Sequence, residues 1–433
     1  MVSFTKGSAI FSLLLIIALL IRLILMPISV HYDLFFINIF PALMKEKNVY
    51  DIYYYFSKNL PNASYLYYPP LTYFTFGSFQ HVYSYLSSTF SNWMMVLYNL
   101  EISGFQGQAA DFIKTSRNVH IFKDLFLAKL PYLIIDILAV FSFIKFVKNR
   151  VQAQTLTLLW LFNPVHIYST YLIGQYDIIP SLFVLLGILI FKNNLYLGIF
   201  TLGIAAAYKN YAFLFILIII LVYAKTWAFR LKLALISSIP YLISLLPTLI
   251  HNPFWAVYSF LPKIYLNRSV PLVGWPLYSQ YLKYVVLTFT LFAIFALASS
   301  IKIKDKYRLV IGLSLSAVLL VYAFYPKMSF HYLVWEMPLV LLWFKKFKIC
   351  AIVLIVQAFS LASYKLLANH LQMGLFAPLN PDYFSALPTF NSQVNQIFSY
   401  TIISNTGFFI FFFINVYLAS KIMLDLFFKE QTN

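Results

Sequence analysis

The chain has one cysteine, Cys350, in 433 residues. That excludes an internal disulfide and any metal site built on cysteine pairs. Acidic residues are also scarce: 13 Asp and Glu stand against 31 Lys and Arg, and only 10% of residues are charged. No two aspartates form a D-x-D pair, and there is no G-x-x-x-x-G-K-S/T loop, G-x-S-x-G elbow or H-E-x-x-H helix. Nucleotide hydrolysis, serine hydrolysis and zinc proteolysis therefore have no local support. What abounds is apolar surface: 62% hydrophobic residues, 20% aromatic residues and a mean hydropathy of +0.80. Soluble domains do not have this composition; it predicts an all-α polytopic membrane protein. The net charge of +18 then reflects basic cytoplasmic loops beside anionic membrane lipids, not nucleic acid.

A bilayer crossing needs about 20 apolar residues, fewer in places. Twelve segments qualify: 8–27, 124–146, 152–171, 177–191, 194–208, 210–225, 229–250, 278–298, 307–325, 331–345, 349–369 and 401–423. The first is too long and apolar for a cleaved leader, so it reads as a span. With Lys6 inside, the basic clusters at 145–150, 225–232, 302–308 and 345–348 all fall inside, as the positive-inside rule requires. The alternation holds only if residues 28–123 cross an even number of times. The simplest solution is one long extracytoplasmic loop carrying interfacial helices, within a single domain over 1–433. Its stretch "YLYYPPLTYFTFG" (65–77) has a double proline, which predicts the start of an interfacial helix and not a crossing.

Charges in or beside spans are costly and so are candidates for function. Asp33, in "SVHYDLFF", follows the first span near His31; it is placed to take a proton, or to cap a helix starting at Leu34. Gln175 and Asp177, in "LIGQYDIIPS", mark an outer turn that either holds a ligand or caps the next helix before Pro180. Lys209, in "AAAYKNYAF", sits outside against the charge bias; it binds an anion such as phosphate or snorkels to lipid phosphates. Lys327 and His331, in "YPKMSFHYLVWEMP", share one face if a helix begins by Lys327, and would clamp an anion there or serve as interfacial cations. Glu336 and Asp136 have a simpler option, pairing with a basic side chain.

Three stretches, "YYPPLTYF" (67–74), "IGQYDIIPSLFVLLGILI" (173–190) and "LGIAAAYKNYAFLFILI" (202–218), resemble in order the landmarks of GT-C glycosyltransferases. The chain is most similar to dolichyl-phosphate-glucose glucosyltransferases, with their Y-P-P-L-T, F-Q-Y-N and Y-K-Q, and shares its general plan with polyprenol-phosphate-mannose mannosyltransferases. Asp177 stands where an amide is usual, Asn210 where glucosyltransferases have Gln, and their H-E-K landmark is absent. The resemblance implies a GT-C-like fold with a long first outer loop that helps form an extracytoplasmic active site. It implies inverting transfer of a hexose, mannose or glucose, from a polyprenyl- or dolichyl-phosphate donor to a lipid-linked or surface glycan, in the plasma membrane of a prokaryote. Asp33 would be the base. Lys209, Lys327 and His331 would offset the charge of the leaving phosphate. His31, Tyr67, Tyr68, Gln175, Tyr176, Asp177 and Tyr208 would line the substrate. No cofactor is called for, although Asp33 and Asp177 together could share a divalent metal. Three alternatives stay open: a lipid-linked sugar transporter or flippase with no need of a base, a membrane polysaccharide polymerase or ligase using a lipid-diphosphate donor, and a structural subunit without chemistry.

Overall fold

Asparagine and aspartate mark where many apolar runs turn into helix. The side chain of Asn149 accepts from the Gln152 amide, that of Asn194 from Leu197, and that of Asp305 from Arg308. Each satisfies an amide that has no acceptor within its own helix. The computed structural model describes residues 6–59, 68–87, 89–105, 107–251, 253, 277–300, 305–325, 329–344, 347–365, 374–386 and 400–428, and among these there is helix and no strand. Five helices are long and apolar enough to cross a membrane: Ala9–Ile28, Ile121–Phe146, Trp227–His251, Lys306–Phe324 and Ile402–Phe428. Six further apolar helical stretches of 10–17 described residues accompany them. The chain is thus all-helical with several potential spans. Of the expected spans, 152–171 and 331–345 are broken, and 177–191, 194–208 and 210–225 correspond to helices of 12–14 residues, shorter than a full crossing.

The chain divides into two compact units. The first comprises Met1–Leu66, Thr72–Ile178 and Ala368–Ser392. It contains α1 (Lys6–Ile28), α2 (Tyr32–Lys47), α3 (Ile52–Asn59), α4 (Pro70–Ser84), whose first two residues belong to the other unit, α5 (Thr89–Ile102), α6 (Ala109–Ser116), α7 (Ile121–Phe146) and α8 (Arg150–Leu161). The expected long loop is therefore folded into helices, and α4 starts at the second proline of the Pro69-Pro70 pair. Leu34, Phe35 and all of residues 37–44 are buried, so α2 is a core helix. Trp93 of α5 stacks on Phe112 of α6 at 5.4 Å and meets Phe35 edge-on at 5.1 Å. Its indole N–H donates to Ser116, so the polar end of the ring is satisfied. Asp124, in the first turn of α7, accepts from Ser87, Thr89 and Asn118, which fixes where α5 and α7 begin.

The expected span 152–171 is not one helix. α8 stops at Leu161, and Asn163 caps a short turn with Pro164 in its first position. Residues Ile167–Leu172 then form one π-helical turn. Proline has no N–H to give and disfavours α conformation in the residue before it, so the run breaks at Asn163-Pro164.

The second unit comprises Tyr67–Leu71, Ile179–Leu367 and Gln393–Asn433. Its helices are α9 (Ile178–Phe191), whose first residue belongs to the other unit, α10 (Leu195–Tyr208), α11 (Ala212–Tyr223), α12 (Trp227–His251), α13 (Leu277–Ser300), α14 (Lys306–Phe324), α15 (Met337–Phe344), α16 (Phe347–Lys365) and α17 (Tyr400–Phe428). α10 lies along α12, and α17 packs on both α14 and α16. The α10–α12 approach depends on Gly203, where an added Cβ would sit 2.1 Å from the carbonyl oxygen of Ser237. Small residues at such crossings let helix backbones come close. At an exposed helical site alanine would be the better helix former by about 1 kcal/mol. Here Gly203→Ala is expected to destabilise instead, by about 1–3 kcal/mol from forced separation of the helices, read as a lower Tm in detergent or lipid.

Candidate functional site

In the first unit, His31 has extended backbone and caps α2, its Nδ1 accepting from the Asp33 amide at 3.2 Å. The helix therefore begins at Tyr32, and the capping role considered for Asp33 falls to His31. Asp33 lies in the first turn, where the helix dipole favours a carboxylate. Its side chain is 30% exposed, and its Oδ2 is 3.2 Å from His31 Nδ1. That nitrogen meets both partners: without a proton it accepts the amide, and with one it donates to the carboxylate.

Against this first turn lies the Gly174–Asp177 turn. Gly174 has φ of +82°, a left-handed conformation that glycine adopts without strain. An added Cβ would come 2.8 Å from Leu34 Cβ, so the position has neither the backbone nor the space for another residue. The Gln175 amide donates to the Ser169 carbonyl at 2.8 Å. Gln175, Tyr176 and Asp177 are all buried, and Gln175 Oε1 has no hydrogen-bond partner among the described residues. The Tyr132 hydroxyl of α7 donates to the Gly174 carbonyl at 2.6 Å and lies within electrostatic range of both Asp177 and Asp33. His31, Asp33, Gln175, Tyr176 and Asp177 thus belong to one neighbourhood around Leu34 and Tyr132.

Sequence reasoning missed the residues that hold this neighbourhood in place. Lys129 is fully buried, and its ammonium donates to the Ser29 carbonyl, the Ser29 hydroxyl and the Tyr171 carbonyl at 2.6, 2.9 and 2.7 Å. Deeper along α7, Asp136 accepts from Arg22 of α1 at 2.5 Å, from Trp160 at 2.8 Å, from His166 at 2.8 Å and from Tyr171 at 2.7 Å. Arg22 also donates to the carbonyls of Ala18 and Leu161. Asp136 is therefore a structural hub with a basic partner, as its simpler option anticipated. The overlooked signal was the presence of Arg22 and Lys129 inside expected spans.

The second unit gathers a different group. Lys209 ends α10 with extended backbone, and its ammonium lies 5.3 Å from the Tyr332 ring centre and 5.4 Å from that of Trp335. Tyr211 stacks on Trp335 at 4.5 Å with the rings 3° from parallel, and Tyr332 meets Trp335 at 4.3 Å. His331 touches the same Tyr332 ring edge-on at 4.5 Å. Ser181 of α9 donates to the Val334 carbonyl at 3.0 Å, and the Tyr322 hydroxyl donates to the Tyr332 carbonyl, fixing the backbone that carries the rings. Lys209 is thus held by cation–π contacts, and His331 shares one of its rings. His331 sits in a 3-10 turn, Phe330–Val334, and not at an α-helix N-terminus, so that form of anion clamp is not present. Lys327 and Tyr67 lie outside the described residues. Tyr208 is buried and stacks on Phe183 at 5.7 Å. Tyr68 is half-buried just before α4.

Glu336 is buried, and its described partner is an amide where a cation was expected: Gln357 Nε2 lies 3.2 Å from Glu336 Oε2 and 2.7 Å from Asn415 Oδ1. Asn415 in turn donates to the Phe411 carbonyl. Gln357→Leu removes the donor that both neighbours share. It is expected to cost about 1–3 kcal/mol, the range for leaving buried polar groups unsatisfied, measured by thermal or denaturant unfolding. Among the described residues no three His, Cys, Asp or Glu side chains are grouped to hold a metal ion. Set against models of known protein families and against curated protein sequences, the chain matches none.

Proposed function

We propose that the chain is an inverting, GT-C-like membrane glycosyltransferase with twelve crossings, moving a hexose from a polyprenyl-phosphate donor to an extracytoplasmic glycan or lipid-linked acceptor. The observation that carries this is Asp33: a partly exposed carboxylate in a first turn that His31 already caps. The structural duty falls to the histidine, whose Nδ1 accepts the Asp33 amide, and the carboxylate stays partly exposed beside it. In the proposed reaction Asp33 takes the proton of the acceptor hydroxyl as its oxygen attacks the anomeric carbon. The bond from that carbon to the phosphate oxygen breaks in the same step. The leaving group is polyprenyl phosphate, and Lys209 and His331 offset its growing negative charge; Lys327 has the same assigned role.

The test is sugar transfer by the purified chain in lipid vesicles, with a panel of polyprenyl-phosphate hexoses and pentoses and endogenous membrane lipids as acceptors. Release of polyprenyl phosphate from one donor is the expected result. Translocation of a lipid-linked sugar with no release would overturn the proposal in favour of a flippase.

A further inference from the structure

Lys129, Tyr132 and Asp136 are spaced i, i+3 and i+7 along α7 and so lie on one face of the helix. Each polar end holds something different. Asp136 binds Arg22 of α1 together with His166 and Tyr171. Lys129 joins the outer end of α1, at Ser29, to the end of the π turn, at Tyr171. Tyr132 holds Gly174. Asp33 lies four residues beyond Ser29 and Asp177 three beyond Gly174, so both acidic residues extend from points that α7 secures. The last of these contacts is the decisive one. Tyr132 is fully buried, its hydroxyl is used on backbone, and it sits within electrostatic range of both carboxylates.

We propose that Tyr132 is a positioning residue: its bond to Gly174 seats the Gly174–Asp177 turn on the first turn of α2 and thereby sets the distance between Asp177 and Asp33. This rests on the catalytic role proposed for Asp33, but the seating can be measured without it. Tyr132→Phe keeps the ring and removes only the hydroxyl. In the full chain in lipid vesicles, hydrogen–deuterium exchange of the amides at 174–177 is expected to rise several-fold, with exchange across α5 and α6 unchanged. In the transfer assay, kcat per folded molecule is expected to fall roughly tenfold, the worth of one buried hydrogen bond, with donor KM unchanged because the hydroxyl does not touch the donor.

A mere loss of folded protein would lower the amount of active enzyme and leave kcat per folded molecule where it is. Unchanged exchange at 174–177 would overturn the proposal, and so would faster exchange with kcat intact. Should Tyr132→Phe fail to fold, Lys129→Met tests the same seating from the Tyr171 side, with the same exchange readout. If the wild type releases sugar from no donor, the proposed function fails by itself, and the exchange still decides whether Tyr132 holds the turn.

Discussion

Arg22→Ala is expected to lower stability on the order of 3–5 kcal/mol, the range for breaking a buried ion pair by removing one partner. The guanidinium joins α1 to α7 through Asp136 and to the end of α8 through Leu161, and both side chains of the pair are almost entirely buried. Removing it leaves the Asp136 carboxylate inside an apolar helix bundle with three neutral or titratable donors, Trp160, His166 and Tyr171, and no cation from α1. The double replacement Arg22→Met with Asp136→Leu removes both charges at once and should recover much of the loss, because apolar side chains of similar volume often replace a buried pair without penalty. The check is a denaturant or thermal unfolding series on the wild type, both single variants and the double. A double variant no more stable than Arg22→Ala would mean that the remaining donors, and not the charge pair, dominate this cluster.

The second large effect is on chemistry. Asp33→Asn should reduce sugar transfer by about 10²–10⁴-fold, the usual contribution of a general base, while leaving Tm close to the wild-type value. Stability is spared because the α2 cap is His31 and the amide is nearly isosteric with the carboxylate. Asp177→Asn restores the amide usual at that landmark in the resembling family, and should leave transfer within about tenfold of wild type. The measurement is initial-rate release of polyprenyl phosphate for both variants, alongside Tm. Full activity in Asp33→Asn would move the base elsewhere, with Asp177 next to be replaced.

Much of the helical content was legible because apolar run length is a direct physical signal. The segments expected at 229–250 and 401–423 match α12 and α17 to within a few residues. Less legible were features set by contacts distant in sequence. Arg22 and Lys129 look like interruptions of apolar runs until their acceptors, 114 and 100 residues away, are brought in by folding. The break at Asn163-Pro164 has a local sign in the dipeptide, but apolar run length does not register a missing N–H. At the candidate site, the proximity of Asp33 to the Gly174–Asp177 turn had a local sign, the glycine, but nothing nearby in the chain indicated that its neighbour would be Leu34. The aromatic surroundings of Lys209 were foreshadowed by the tyrosines and tryptophan of "FHYLVWE", although their arrangement around the ammonium came only with the fold.

The wide turn at Ile167–Leu172 has an arithmetic consequence. A π turn accommodates one residue more than the α-helix it interrupts, and each residue of an α-helix rotates the chain by about 100°. The six residues from 167 to 172 therefore act as a phase-setter. Shortening them by one would rotate the next stretch of chain by more than a quarter circle, carrying Asp177 away from the face it now occupies while leaving the composition of the segment almost unchanged. Substitutions along this stretch are thus a matter of packing, whereas a change in its length is a change of direction, and the chain should accept the first far more readily than the second.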